Sequence, residues 1–248
     1  MKFRITHEFS YRYDSPVRLS PQYLRLTPRD TARQKVTGWN LETPGAALRT
    51  TDGYGNVLHV LTIDKAVSEI SIEAAGTVET SPALDEPSDF TGAPLSPLLF
   101  LRPSGLTRVD GPLGAFAEKF RRAVAEHSGL RELAAAINDK HHGGSAADAV
   151  HAFIACCRHF GVPARYVSGY AYARKEQNNG VAMHAWAEAW VEQRWRSFDI
   201  VHDTPVGEAH IKIAVGADYL DACPVRGVRI GGGAETLLAH AHVEATQQ

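Results

Sequence analysis

Cysteine is scarce in this 248-residue chain: there are three, and two of them, Cys156 and Cys157, sit side by side inside an apolar helical pattern. That spacing excludes a disulfide framework and a cysteine-built zinc knuckle, and predicts reduced, buried thiols. Long apolar runs are also missing. Nothing approaches the roughly 18 residues that a membrane span requires. The opening, MKFRITHEFSYRYDSP, alternates polar and apolar residues where a secretory signal has an apolar stretch and a small-residue cleavage site. Charge of one sign is concentrated nowhere, and 26 Lys and Arg against 28 Asp and Glu give a net charge of -2. No polyanion-binding surface is advertised. The expectation is a cytoplasmic protein with no nucleic-acid and no membrane partner. Repeats at periods of roughly 20–50 residues and low-complexity tracts are absent as well.

What is present divides along the chain. The hydrophobic content of 44% is enough for a packed core. From Lys2 to Thr80 the pattern has period two, as in Val57–Ile63 and Ile70–Ala74, and Asp52-Gly53-Tyr54-Gly55-Asn56 reads as a hairpin connection. An antiparallel β-domain, a sandwich, is expected over residues 1–80. Residues 81–112 hold six prolines and read as a connector whose apolar Leu95–Leu101 lies against a domain. Residues 113–233 follow as a second unit. Leu113–Ala125 and Leu130–Asp139 have helical spacing, and His141-His142-Gly143-Gly144 breaks it. Ser145 then N-caps a helix from Ala146 to Phe160, stopped by Gly161 and Pro163. Three strands come next: Ala164–Tyr170, Met183–Val191 and Trp195–Asp199. A helix followed by antiparallel sheet makes the whole α+β. Residues 234–248 are a final strand and tail, with Ala234–Val243 alternating so that it could return to the N-terminal sheet.

His184 shares a strand face with Trp186 and Trp190, and Asp199 ends the next strand fifteen residues on. A turn at Glu192-Gln193-Arg194 brings the two within pairing distance. A carboxylate on one imidazole nitrogen fixes the tautomer and stabilises the imidazolium, as a catalytic base requires. Taken alone, such a pair is more often structural than catalytic.

The stretch Phe153–Tyr170, with Arg165-Tyr166-Val167-Ser168-Gly169-Tyr170 at its end, then His184-Ala185-Trp186-Ala187-Glu188-Ala189-Trp190 and Phe198-Asp199, closely resembles the bacterial transglutaminase-like family. So do Leu19–Arg29, Asp52–Asn56, Ala214–Tyr219 and Pro224–Gly227, so that nearly the whole chain is covered. The resemblance implies a papain-like core preceded by the family's β-domain. It also implies a cysteine at the start of the core helix, activated by His184, oriented by Asp199 and attacking an amide carbonyl. The family writes that helix start Gly-x-Cys-x-Asp-x-x-His, and here Gly144, Ala146, Asp148 and His151 stand on those positions. Alanine occupies the place of the nucleophile. Cys156 and Cys157 lie 10 and 11 residues further on, about 15 Å along a helix, and belong to its body.

The resemblance therefore implies a protein of the amide-bond acyl-transfer superfamily, catalytically impaired, with a peptide or protein as substrate or ligand and the oligomeric state left open. Two alternatives stand beside it. One is a non-catalytic peptide- or protein-binding module that keeps the groove; the other is an active hydrolase using Ser145 as a substitute nucleophile, although that hydroxyl is the natural cap acceptor and lies one residue out of register. No cofactor is expected. Nor is a metal: among His141, His142, His151, His159 and His184, the helical pair His151 and His159 are eight apart and lack the i, i+4 spacing of helical zinc ligands.

Overall fold

The computed structural model describes residues 1–82, 95–140, 145–172, 182–202 and 206–246. Its longest element, β1 (Lys2–Leu24), alternates buried Phe3, Ile5, His7 and Phe9 with exposed Arg4 and Glu8. β2 (Gln34–Glu42), β3 (Ala47–Thr51), β4 (Val57–Ile63) and β5 (Val67–Thr80) follow it. The first half of β1 pairs with β5, and its second half with β4; β2 and β3 extend the two sides. One strand thus runs through both layers, which close over Phe9, Tyr13, Val17, Leu24, Leu61, Ile63, Ile70 and Ile72. The β3–β4 turn is organised by Asp52, whose Oδ1 accepts the amides of Tyr54 and Asn56 while Oδ2 accepts Arg25 Nε at 2.7 Å.

Beyond β5 come α1 (Gly111–Ala117), α2 (His127–Lys140) and α3 (Ala146–His159). They are followed by β6 (Ala164–Ala171), β7 (Ala182–Val191), β8 (Arg194–Phe198), β9 (His210–Gly216) and the short α4 (Tyr219–Ala222). The strands form an antiparallel sheet in the order β8-β7-β6-β9. Ser145 Oγ accepts the Asp148 amide at 3.2 Å at the head of α3, and Gly161 takes φ +75° just past its end, the left-handed stop that glycine accommodates. Ala149 to Arg158 are all buried, so α3 is the central helix. The small residues Ala187 and Ala189, in the same core as Phe153, let it approach the sheet. The β7–β8 turn places Glu192 and Gln193 at φ 53° and 60°, a two-residue type I′ connection that matches strand twist.

The Leu113–Ala125 segment is not one helix. It is α1 followed by 3-10 turns at Glu118–Phe120 and Ala123–Ala125. The chain doubles back tightly into α2: a Cβ on Gly129 would lie 2.0 Å from the Ala123 carbonyl oxygen. From the Pro-rich connector, Phe100 is buried between Tyr54 and Trp195, with ring centroids 5.8 and 5.4 Å away.

The remaining strands return to the first sheet: β10 (Val225–Gly227), β11 (Ile230–Gly231) and β12 (Glu235–Thr246) all pair with β1, the last along Lys2–Tyr13. The two sheets also lock through an edge. β9 ends its sheet, and its outward backbone groups need partners. Gln34 exchanges two hydrogen bonds with the Lys212 backbone at 2.9 and 2.8 Å, and Asn56 does the same with Val215 at 2.7 and 2.8 Å.

His7 on β1 meets Tyr170 on β6, with Nδ1 3.0 Å from the phenolic oxygen. Burial depresses the His7 pKa to about 4. The unfolded chain takes up that proton near its ordinary pKa of 6.5 and the folded chain resists until about 4. Stability is therefore fully present above 6.5 and is lost as pH falls between those values, by about 3 kcal/mol at most. Urea titrations at pH 7.5 and 4.5 are expected to show this loss reduced in His7→Gln; an unchanged loss would remove His7 as its source.

Candidate functional site

His184 enters the structure near the start of β7, in register with Gly169 of β6. That glycine is required by packing, since a Cβ there would stand 2.7 Å from the Trp186 ring and 2.1 Å from the Ile211 carbonyl. The indole so admitted is fully buried and stacks beneath the His184 imidazole, with centroids 6.3 Å apart at 28°. Asp199 follows β8, and the type I′ turn returns it beside His184: Nε2 to Oδ2 is 2.8 Å. The carboxylate is fully buried and the imidazole side chain is 8% exposed.

Burial alone would raise the Asp199 pKa. Hydrogen bonds from His184 and His210, the charge of His184 and the His202 amide outweigh it and hold the carboxyl far below the ordinary range. Asp199 is therefore an anion, and its grip on Nε2 favours the tautomer that leaves Nδ1 basic. Among the described residues Nδ1 of His184 has no hydrogen-bond partner.

Two further imidazoles, not singled out by the sequence reading, close on the same carboxylate. His202 places Nδ1 at 3.0 Å from Oδ2 and its amide at 3.1 Å from Oδ1, and His210 places Nε2 at 3.1 Å from Oδ2. The first was legible as the Asp-x-x-His spacing of a side chain capping its own turn. The second was not, because β9 reaches the site only through sheet pairing.

The other sequence candidates fall as follows. Ala146 is the first residue of α3 and half-buried. Ser145 is engaged as the cap acceptor. His151 Nε2 accepts the Tyr219 amide at 3.1 Å and burial lowers its pKa, so it serves as a neutral acceptor at the head of α4. His159 lies 3.5 Å from Glu118, away from the pair. Gly144, His141 and His142 lie outside the described residues. Cys156, Cys157 and Cys223 are free and buried; burial pushes the Cys156 thiol up to about 12 and the Cys157 thiol well above its usual value.

Beneath the site, on the same face of β7, Glu188 is held by Arg165 Nε at 2.8 Å, Lys212 Nζ at 2.5 Å and Ser197 Oγ at 3.0 Å. The Arg165 guanidinium in turn lies 4.0 Å over the Trp195 ring.

Residues 3–79 match the bacterial transglutaminase-like N-terminal region, and residues 116–200 match the transglutaminase-like superfamily core. The core match includes Ser145, Ala146, His184 and Asp199 and stops short of His202 and His210. The chain is 28% identical to an uncharacterized protein of Mycobacterium leprae over 95% of its own length and 96% of the relative's. It is 30% identical to uncharacterized proteins of Mycobacterium bovis and Mycobacterium tuberculosis, covering 92% of this chain and 87% of each relative. A solved structure from Cytophaga hutchinsonii, described as a candidate cysteine protease, superposes over the whole of this chain and 91% of its own with a TM-score of 0.74. At 20% identity that likeness establishes the α+β fold. Among the described residues no helix is long and apolar enough to cross a membrane.

Proposed function

Since this chain belongs to the bacterial transglutaminase-like family, we propose that it is an amide-bond acyl-transfer scaffold whose nucleophilic position is filled by the methyl group of Ala146. In this reading it is catalytically impaired and acts by holding a peptide or protein in the retained groove. The observation that carries the reading is the His184–Asp199 pair, with Nε2 committed to the carboxylate at 2.8 Å and Nδ1 left as the base.

The level of the helix start supports it. The Phe153 ring packs 5.0 Å from that of Phe198, which pairs with Ala187. From there Ala146 is seven helical residues back, about 10.5 Å, and His184 three strand residues back, about 10 Å. With the helix axis along the strand, the two would stand at one height along the sheet. The reading requires the imidazole, borne on the Trp186 face, to reach round the sheet's end to the first turn of α3. There the helix amides and dipole would favour a thiolate and hold an oxyanion, but a methyl group offers no electron pair. Ser145 Oγ is a poor substitute for it, because it is held as the cap acceptor of the Asp148 amide and lies one residue out of register.

Peptide is expected to bind the unaltered chain without turnover, and His184→Ala to change the affinity by less than about tenfold, the worth of one ordinary hydrogen bond. Amide hydrolysis by the unaltered chain that vanishes in His184→Ala would overturn the proposal.

A further inference from the structure

Three imidazoles converge on a single oxygen, Asp199 Oδ2, at 2.8, 3.0 and 3.1 Å. A carboxylate oxygen presents about two lone-pair directions. One is spoken for: Nδ1 of His210 receives the Gly207 amide at 3.3 Å, so its proton is on Nε2 and is directed at Oδ2. The remaining direction is shared by His184 Nε2 and His202 Nδ1, whose ring centroids are 4.6 Å apart. Two N–H groups crowd that one position. A single cation in it would be served by both nitrogens and by the oxygen.

We propose that His184, Asp199 and His202 bind a divalent transition-metal ion of the zinc class, with His210 as the residue that positions the carboxylate. The three donor atoms lie within 4.8 Å of one another. Nitrogen and oxygen ligands about 2.0–2.2 Å from a tetrahedral ion stand about 3.3 Å apart, so the pairs at 2.8 and 3.0 Å need open by only a few tenths of an ångström. Two neutral imidazoles and one carboxylate form the donor set that suits such ions and leaves an open coordination position. The His202 side chain is 52% exposed, which gives the ion an entry path and the open position access to water. His210 acts through Asp199, orienting a ligating carboxylate as outer-shell donors do. The inference goes beyond the acyl-transfer reading and uses nothing at Ala146: with the ion bound, Nε2 of His184 is the ligand and its proton sits on Nδ1, whereas the ion-free chain keeps Nε2–H on Asp199 and Nδ1 as the base.

Calorimetric titration of the untagged, metal-stripped chain with Zn2+ is expected to show one equivalent bound, and Co2+ in its place to give the strong visible absorption of a four-coordinate ion. His202→Ala removes an exposed ligand and should lower the Zn2+ affinity by about 100-fold, at or beyond the upper end of what outer-shell changes cost. His242→Ala, at an exposed pair with Glu244, should leave it unchanged, and circular dichroism verifies that each variant is folded. No stoichiometric binding by the unaltered chain, or an affinity in His202→Ala within tenfold of it, overturns the inference. Should His202→Ala fail to fold, His202→Gln takes its place under the same criterion. Since Ala146 is untouched throughout, a negative result leaves the acyl-transfer reading standing.

Discussion

Ala146→Cys is expected to carry one fast thiol, alkylated by iodoacetamide near neutral pH at least about 100-fold faster than any other cysteine in the chain. The cause is electrostatic. Only the thiolate reacts, and a cysteine at a helix N-terminus beside an imidazole has its pKa lowered from about 8.5 into the range of about 3.5–7.5. The three native thiols compete poorly. Cys156 is raised to about 12 and Cys157 further by burial, while Cys223 is buried with its Sγ 3.1 Å from the Val225 carbonyl oxygen. Mass spectrometry after brief labelling should find one adduct, on residue 146, and none on the unaltered chain. Equal labelling of residue 146 and the native cysteines would count against the proposed site.

The second large effect concerns the platform beneath His184. Glu188→Gln is expected to destabilise the fold by about 3–5 kcal/mol, the usual cost of breaking a buried ion pair from one side. In a chain of this size that lowers Tm on the order of 10 °C. The side chains of Arg165, Glu188 and Lys212 are 5%, 2% and 4% exposed, so water does not replace the charge removed from Glu188. Burial by itself would raise the Glu188 pKa; the charges of Lys212 and Arg165 outweigh it and bring it down to about 2. Its contribution is therefore fully present above the unfolded pKa, near 4.5, and is lost as pH falls toward 2. Chemical denaturation at neutral pH measures the difference directly. A loss under about 1 kcal/mol would mean that the cations find other partners and that Glu188 is not the keystone of this layer.

Much of the scaffold is readable from local chemistry. The cap at Ser145, the left-handed stop at Gly161 and the strand alternation around His184 are set by neighbours in sequence, so α3 and β7 stand where those signals place them. The His184–Asp199 contact is legible for a related reason: a two-residue turn leaves little freedom between adjacent antiparallel strands. Features fixed by distant packing are not. The division of Leu113–Ala125 into α1 and two 3-10 turns is invisible to helical periodicity, which α and 3-10 turns share over so few residues. The approach of His210 to Asp199 is likewise hidden, because it arrives on β9 and is oriented by the Gly207 amide, whereas His202 carries the Asp-x-x-His spacing. The docking of Gln34 and Asn56 onto the β9 backbone spans more than 150 residues, and two polar side chains in turns and strand ends give no sign of it in sequence.

Whether the start of α3 and the imidazole of His184 meet is tested directly by the pH dependence of alkylation in Ala146→Cys, with and without His184→Ala. The prediction is an inflection below about 7.5 that moves up by more than about one pH unit when the imidazole is removed. Two superimposable curves, both inflecting near 8.5 as an ordinary thiol does, would contradict it.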